Sequence, residues 1–343
     1  MRDSKFMLPR DVAVKTLACC LLSLFLLIGC EGEKQPASNE PVKKISIAAM
    51  PHSFTGYTLF VARDKGYLHD VGLDVEFNEF SNGKLTLNSL VSGQSDFAVS
   101  SETPFIRSVL AGNDISMVAS TVYARWHLAV VGRIDRGIAV AEDLAGKRVG
   151  VTVGSNGEYF LGLFLAMHGL SQDSIELVHT APGKMLDGLR SEALDAIVTW
   201  NPQMHSTRKL LGDNGVAFDL NGLYAPYFLV VSRRDFLGLN PDAARRLLEA
   251  LHRASEFIHQ QPDEARKIVA PYLKTEVTTL KELTAFYDFS LSLNQEMLTV
   301  LEQQAKWISS RPGKQAKPTA NFVEHVYVDA LRDIDKELVT LIK

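Results

Sequence analysis

Between residues 44 and 235 the chain alternates two hydrophobic periods, about 2 for strands and about 3.6 for helices. KISIAAM predicts a strand over 44–50, PHSFT a turn over 51–55, and the next apolar spacing a helix over 57–65 that stops at Gly66. LDVEFNEF (73–80) alternates as a half-buried strand. An amphipathic helix over 84–92 ends at Gly93, a residue suited to a helix end. A short buried strand over 96–99 leads through a polar loop to a helix over 104–111, with proline near its first turn. Strands follow at 115–123 and 127–132. The theme then repeats: strand 148–153, polar turn 154–157, helix 158–168, strand 175–179, helix 184–191 and strand 196–200. From Pro241 onward only helical spacing is legible, over about 242–261, 262–272, 279–290, 295–309 and 320–342. Strands alternating with helices predict parallel sheets covered by helices, so the chain reads as two α/β units followed by a helical segment.

The length of 343 residues suits two globular units, and 46% hydrophobic with 22% charged residues is the balance of a protein with a sizeable core. Ordinary glycine and proline content with 8% aromatics excludes collagen-like, coiled-coil and disordered classes. A formal net charge of −4 and a pI near 6.2 argue against a nucleic-acid surface, which needs a basic field.

One apolar run approaches membrane length. Residues 1–15 carry four basic side chains against two acids, and TLACCLLSLFLLI (16–28) follows. Thirteen residues fall short of the ~20 that span a bilayer as a helix, but they fit the core of a signal peptide. The run ends in Leu27-Ile28-Gly29-Cys30, which resembles the lipobox of bacterial lipoproteins. That resemblance implies cleavage before Cys30, a diacylglycerol on its sulfur and a membrane attachment. Residues 30–43 read as a flexible tether. Cleavage at 1–29 removes four basic and two acidic residues from the net charge of −4 and leaves about −6. It also removes Cys19 and Cys20, so with Cys30 lipidated no thiol remains for a disulfide, a metal or a nucleophile. The nine histidines show neither HxxxH nor HExxH spacing, and GxSxG, P-loop, GxGxxG and HxE…CxxC patterns are missing from the sequence. The sequence therefore suggests neither an enzyme nor a metal or cofactor protein.

Five phrases recur in order: ARDKGYLHDVGLDVEF (62–77), LVSGQSDFAVSSETP (90–104), VLAGNDISMVAS (109–120), EDLAGKRVGVTVGS (142–155) and LRSEALDAIVTWNPQ (189–203). Together they resemble the solute-binding-protein family of ABC importers for nitrate, taurine, alkanesulfonates and thiamine-precursor pyrimidines. The resemblance implies a type II periplasmic-binding-protein fold: two α/β lobes, a hinge, and a helical C-terminal segment. One lobe would comprise 44–131 plus the region 222–343, and the other 132–221, with crossovers near Val131 and near 221–226. It also implies a monomer that hands a small solute to permease and ATPase subunits. A ligand-binding sensor for a membrane partner remains an alternative. A pyrimidine synthase of the same fold is opposed by the lipobox and the lack of free cysteine.

In open α/β sheets, ligands sit beyond the carboxyl ends of strands, where loops and helix N-termini converge. That places Pro51, His52, Ser53, Phe54 and Thr55 at one loop and Ser100, Ser101, Glu102 and Thr103 at a second. Gly154, Ser155, Asn156, Gly157 and Glu158 form a third, and Thr199, Trp200 and Asn201 a fourth. The GSNG turn can cradle an oxyanion, while Ser155 or Asn156 can equally cap the helix. Trp200, Trp126, Phe54 and Tyr227 are candidates for stacking on a solute, with core packing as the alternative. If Glu102 or Glu158 faces the cleft, the solute carries an amine or ring N–H donor; otherwise both are first-turn acids favoured by the helix dipole.

Overall fold

The computed structural model describes residues 41–220, 222–310 and 320–342. The signal segment 1–29, Cys30, the tether up to residue 40, and Asn221 lie outside the described residues.

The chain opens a first sheet with β1 (Lys43–Ala49), β2 (Leu73–Glu79), β3 (Phe97–Ser101) and β4 (Ile115–Ala124). The helices between them are α1 (Tyr57–Asp64), α2 (Gly83–Val91) and α3 (Glu102–Leu110). It then builds a second sheet from β5 (Leu128–Arg133), β6 (Arg148–Val151), β7 (Glu176–His179), β8 (Ala196–Trp200) and β9 (Gly215–Phe218). Its helices are α4 (Asn156–Met167), α5 (Met185–Arg190) and α6 (Gln203–Leu211). β10 (Tyr227–Arg233) returns to the first sheet, followed by α7 (Pro241–Gln260), α8 (Pro262–Leu273), α9 (Val277–Thr284), the short strands β11 (Tyr287–Asp288) and β12 (Leu293–Asn294), α10 (Gln295–Ser309) and β13 (Val339–Thr340).

The strand order is β11-β4-β10-β3-β1-β2 in the first sheet and β7-β6-β8-β5-β9 in the second. Neither is wholly parallel, which corrects the expectation from alternation. β10 runs antiparallel between β3 and β4, and β5 runs antiparallel to both β8 and β9. The cause is the chain's route. It crosses from sheet to sheet after Ala124 and back before Tyr227, so the strand that arrives from the other lobe enters without a helical crossover. The strands β9 and β10 were not anticipated: β10 is buried on both faces, so its run YFLVV lacks the alternation that marks a half-buried strand.

The C-terminal segment also departs from an all-helical reading. The helix expected over 279–290 ends at Thr284, and Tyr287–Asp288 pairs with the outer edge of β4. The helix expected over 320–342 is a set of short turns, the six-residue helix Asp329–Ile334 and β13, which pairs with β12. Phe322 and Leu331 there are fully buried against the first lobe, so tertiary packing overrides helical spacing. In the second sheet, alternation decides the layers. Leu128 and Val130 face one apolar cluster, while Ala129 and Val131 face the cluster on the other side.

Candidate functional site

A narrow cavity of about 20 Å³ lies between the two lobes. Met50, Ser53 and Thr55 follow the end of β1, Asn82 and Gly83 follow β2, and Ser101 ends β3 with Pro104 in the first turn of α3. From the other lobe come Ser155 and Asn156 after β6 and Trp200 at the end of β8. His127, on the crossover, and Phe228, the second residue of β10, complete the lining. Every loop at the carboxyl end of a strand in this set leads into a helical turn, so backbone N–H groups gather around one space.

Local chemistry shapes these turns. Asn82 accepts from the Leu85 N–H at 3.1 Å and caps α2, and Ser155 accepts from the Gly157 N–H at 3.1 Å to cap α4. The Ser155 hydroxyl also donates to the Thr152 carbonyl at 2.6 Å. Gly154, at φ +93°, turns the chain in a conformation that side chains disfavour. Ser101 caps the start of α3 only by position, because its hydroxyl makes no capping bond. Among the described residues none hydrogen-bonds the Ser101 hydroxyl, the Asn156 amide or the Trp200 indole N–H; the three residues are more than nine-tenths buried overall and line the cavity, where their polar atoms keep solvent contact.

Among the described residues the lining carries no acidic side chain and no lysine or arginine. His127 is neutral: burial lowers its pKa to about 3, and its Nδ1 lies 2.7 Å from the Tyr287 hydroxyl. Both carboxylates expected near the cleft turn away from it. Glu102 is fully buried, where its Oε1 accepts from the Tyr224 hydroxyl and, at 2.8 Å, from the Gln304 amide; burial pushes its pKa up to about 7. Thr103 donates to the Gln304 carbonyl oxygen at 2.6 Å and so orients that amide. Glu158 accepts from the Gly154 N–H at 2.7 Å and from Arg107 at 2.9 Å. The condition under which the solute would carry an amine is therefore not met.

The cavity brings together six of the residues that the strand-end reading singles out: Ser53, Thr55, Ser101, Ser155, Asn156 and Trp200. The others lie elsewhere. His52 is exposed and its ring bonds the Tyr272 carbonyl at 2.7 Å. Phe54 is fully buried and stacks on Tyr57 and Tyr287. Ser100 donates to the Gly83 carbonyl at 3.2 Å behind the lining. Trp126 donates to Asp219 at 2.8 Å and packs on Phe286 at the crossover. Tyr227 packs on Tyr123 within the first lobe. Gly154 and Gly157 shape the turn from outside the lining and Glu158 bonds it through the Gly154 N–H, while Glu102 and Thr103 bond Tyr224 and Gln304 instead. Met50, Asn82, Gly83, Pro104, His127 and Phe228 join the lining without having been sequence candidates. The Asn82-Gly83 loop satisfies the same strand-end rule that found the others, whereas His127 sits on a crossover that only the fold reveals.

The profile of the NMT1/THI5-like family matches residues 53–265, more than half of the chain. The chain belongs to this family. A Brucella abortus protein named only as a binding protein is 25% identical over 230 residues, covering 64% of this chain and 69% of its own. The alkanesulfonate-binding protein SsuA from Xanthomonas axonopodis pv. citri, solved bound to MOPS, superimposes with a TM-score of 0.72 at 19% identity, covering 84% of this chain and 99% of that one. The periplasmic nitrate-binding protein NrtA from Synechocystis PCC 6803 gives 0.68 at 17% identity, covering 87% and 89%. The family member described here thus has the two-lobed periplasmic-binding-protein fold, with the cavity between its lobes.

Proposed function

We propose that this chain is the extracytoplasmic solute-binding component of an ABC importer, held to the membrane through a lipidated Cys30 and acting as a non-catalytic monomer. It captures a small polar solute by closure of its two lobes and presents it to permease and ATPase subunits. The observation that carries this reading is the set of three polar side chains, Ser101 from one lobe and Asn156 and Trp200 from the other, that line one cavity with no hydrogen-bond partner among the described residues. Their polar atoms keep solvent contact, so a guest can take over those bonds and join the two lobes. A guest bonded to both lobes binds the closed state better than the open one, and that difference drives closure.

The lining also limits the guest. With no cationic side chain among the described lining residues and a neutral His127, an oxyanion would be held by hydroxyls, amides and helix N–H groups rather than by an ion pair. Trp200 and Phe228 provide an apolar wall for a compact body. This favours a sulfonate-like or nitrate-like oxyanion, in keeping with what the sulfonate-binding and nitrate-binding neighbours are named for. A planar uncharged ring stacked on Trp200 is the second reading.

A thermal-shift panel of sulfonates, nitrate, bicarbonate, aminopyrimidines and amines on residues 31–343 tests the proposal. A ligand at 100 times its Kd adds roughly 2.7 kcal/mol, a visible shift. An oxyanion hit is expected. A hit restricted to amines would overturn the reading of the lining, and a panel without a shift would overturn the assignment to these solute classes.

A further inference from the structure

The two lobes touch beside the cavity through side chains that do not line it. Arg107, in α3 of the first lobe, places Nη2 2.9 Å from Oε2 of Glu158 in α4 of the second. The pair is mostly shielded, with side chains 21% and 5% exposed. The same Glu158 oxygen accepts the Gly154 N–H at 2.7 Å, and Gly154 opens the turn that carries Ser155 and Asn156 into the cavity. Glu158 therefore receives one bond from its own solute-contacting turn and one from the opposite lobe. On the next turns of α4 the Trp307 ring of α10 meets Tyr159 edge-on, 5.1 Å between centroids, and lies against Gly162.

We propose that Arg107 and Glu158 are positioning residues: an interlobe clasp that holds the Gly154–Asn156 turn in its binding geometry when the lobes are together. This rests on the reading of the cavity as a site that works by closure, but it concerns groups that touch no solute. An ion pair spanning the lobes biases the molecule toward the closed state before any solute arrives, because an open state must separate the two charges. Its shielded geometry makes it stronger than an exposed surface pair and still open to screening by salt. The clasp thereby makes retention depend on ionic strength even for a solute without charge.

Hydrogen exchange on the full-length protein, with no solute added, tests the clasp separately from solute binding. In Arg107→Met, amides of the 152–158 segment and of the facing 50–55 loop are expected to exchange about fivefold faster, the effect of a pair worth about 1 kcal/mol. Core strands β3 and β10 should keep their protection. Raising salt to about 1 M should speed the same segments in the wild type and leave Arg107→Met unchanged. Arg107→Lys, which keeps the charge, should recover part of the protection, and Glu158→Gln should match Arg107→Met at the 50–55 loop. Unchanged exchange at both cavity faces in Arg107→Met would overturn the proposal, as would equal acceleration in β3 and β10, which marks general loss of stability. Neither result would bear on whether the cavity takes a solute.

Discussion

The Tyr224 hydroxyl, on the segment that returns from the second lobe to the first, donates to the carboxylate of Glu102 at the start of α3. Ser101, one residue earlier, lines the cavity. Adjacent residues thus divide two tasks, one meeting the solute space and the next anchoring the crossover. Tyr224 extends that anchor by packing edge-on against Tyr159 of α4, 5.2 Å between centroids. A carboxylate in this place is costly, since burial outweighs the bonds from Tyr224 and Gln304 and lifts its pKa to about 7.

That cost has a pH signature, and His127 has the opposite one. Glu102 is raised from 4.5 to about 7, so the folded state holds a proton that the unfolded chain has lost, and stability falls as pH rises through that window. His127 is lowered from 6.5 to about 3, so the unfolded chain holds the extra proton and stability rises with pH up to 6.5. Between about pH 4.5 and 6.5 the two slopes oppose each other. In Glu102→Gln, which keeps a carbonyl oxygen for Tyr224 and Gln304, only the histidine slope is left. Urea melts at pH 5.0 and 6.5 should show the variant gaining stability with pH, by up to about 1.4 kcal/mol per unit, relative to the wild type. Parallel pH profiles for the two proteins would contradict this assignment.

Gly162 gives a prediction about packing. A Cβ there would come within 2.3 Å of the Trp307 ring, which bridges from α10 to α4. Alanine improves helix propensity by about 1 kcal/mol over glycine, while overpacking costs about 1–3 kcal/mol. Gly162→Ala is therefore expected to be net destabilising in chemical denaturation. Combined with Trp307→Ala the penalty should shrink below the sum of the single changes. A stabilised Gly162→Ala would mean that the ring moves aside freely.

The strand-end rule made much of the cavity legible because β1, β3, β6 and β8 each end in a loop that opens a helical turn, and period-2 and period-3.6 spacing locate those ends. The same rule says nothing about which way a side chain turns. Phe54 and Ser53 are neighbours, yet one stacks on Tyr57 and Tyr287 and the other lines the cavity. Glu102 and Glu158 sit at predicted loop positions but find partners 122 and 51 residues away, Tyr224 and Arg107. His127 and Phe228 enter the lining because the chain crosses between sheets there, a relationship that no local pattern encodes. The C-terminal turns were misread for a related reason. Apolar residues of 320–342 fit helical spacing, but they are buried one by one against a core already built.

The proposed lipid anchor makes its own prediction. Cys30 ends a lipobox-like sequence, and replacing it with serine removes the sulfur to which a diacylglycerol would be joined. Cys30→Ser should appear in the soluble extracytoplasmic fraction, whereas the wild type should sediment with membranes. Sedimentation of both would point to another attachment.

The strongest expectation concerns the three polar side chains that line the cavity with no hydrogen-bond partner among the described residues. A side chain kept for the fold costs stability when truncated, whereas one kept for a solute costs affinity. Ser101→Ala and Asn156→Ala remove groups that bond no described residue, so thermal melting should change by no more than a few degrees in the absence of solute. Each hydrogen bond lost to the solute is worth about 1–1.5 kcal/mol, so calorimetric Kd for the solute found in the thermal-shift panel should rise roughly tenfold per variant. Trp200→Phe keeps an aromatic wall but removes the indole N–H, and Trp200→Ala removes both. A larger loss for alanine than for phenylalanine assigns the wall a share of the binding; equal losses assign it to the N–H alone. Because Ser101 and Asn156 belong to opposite lobes, their double variant should also lose the solute-induced compaction seen by small-angle scattering. Full affinity in that double variant would place the solute outside this cavity.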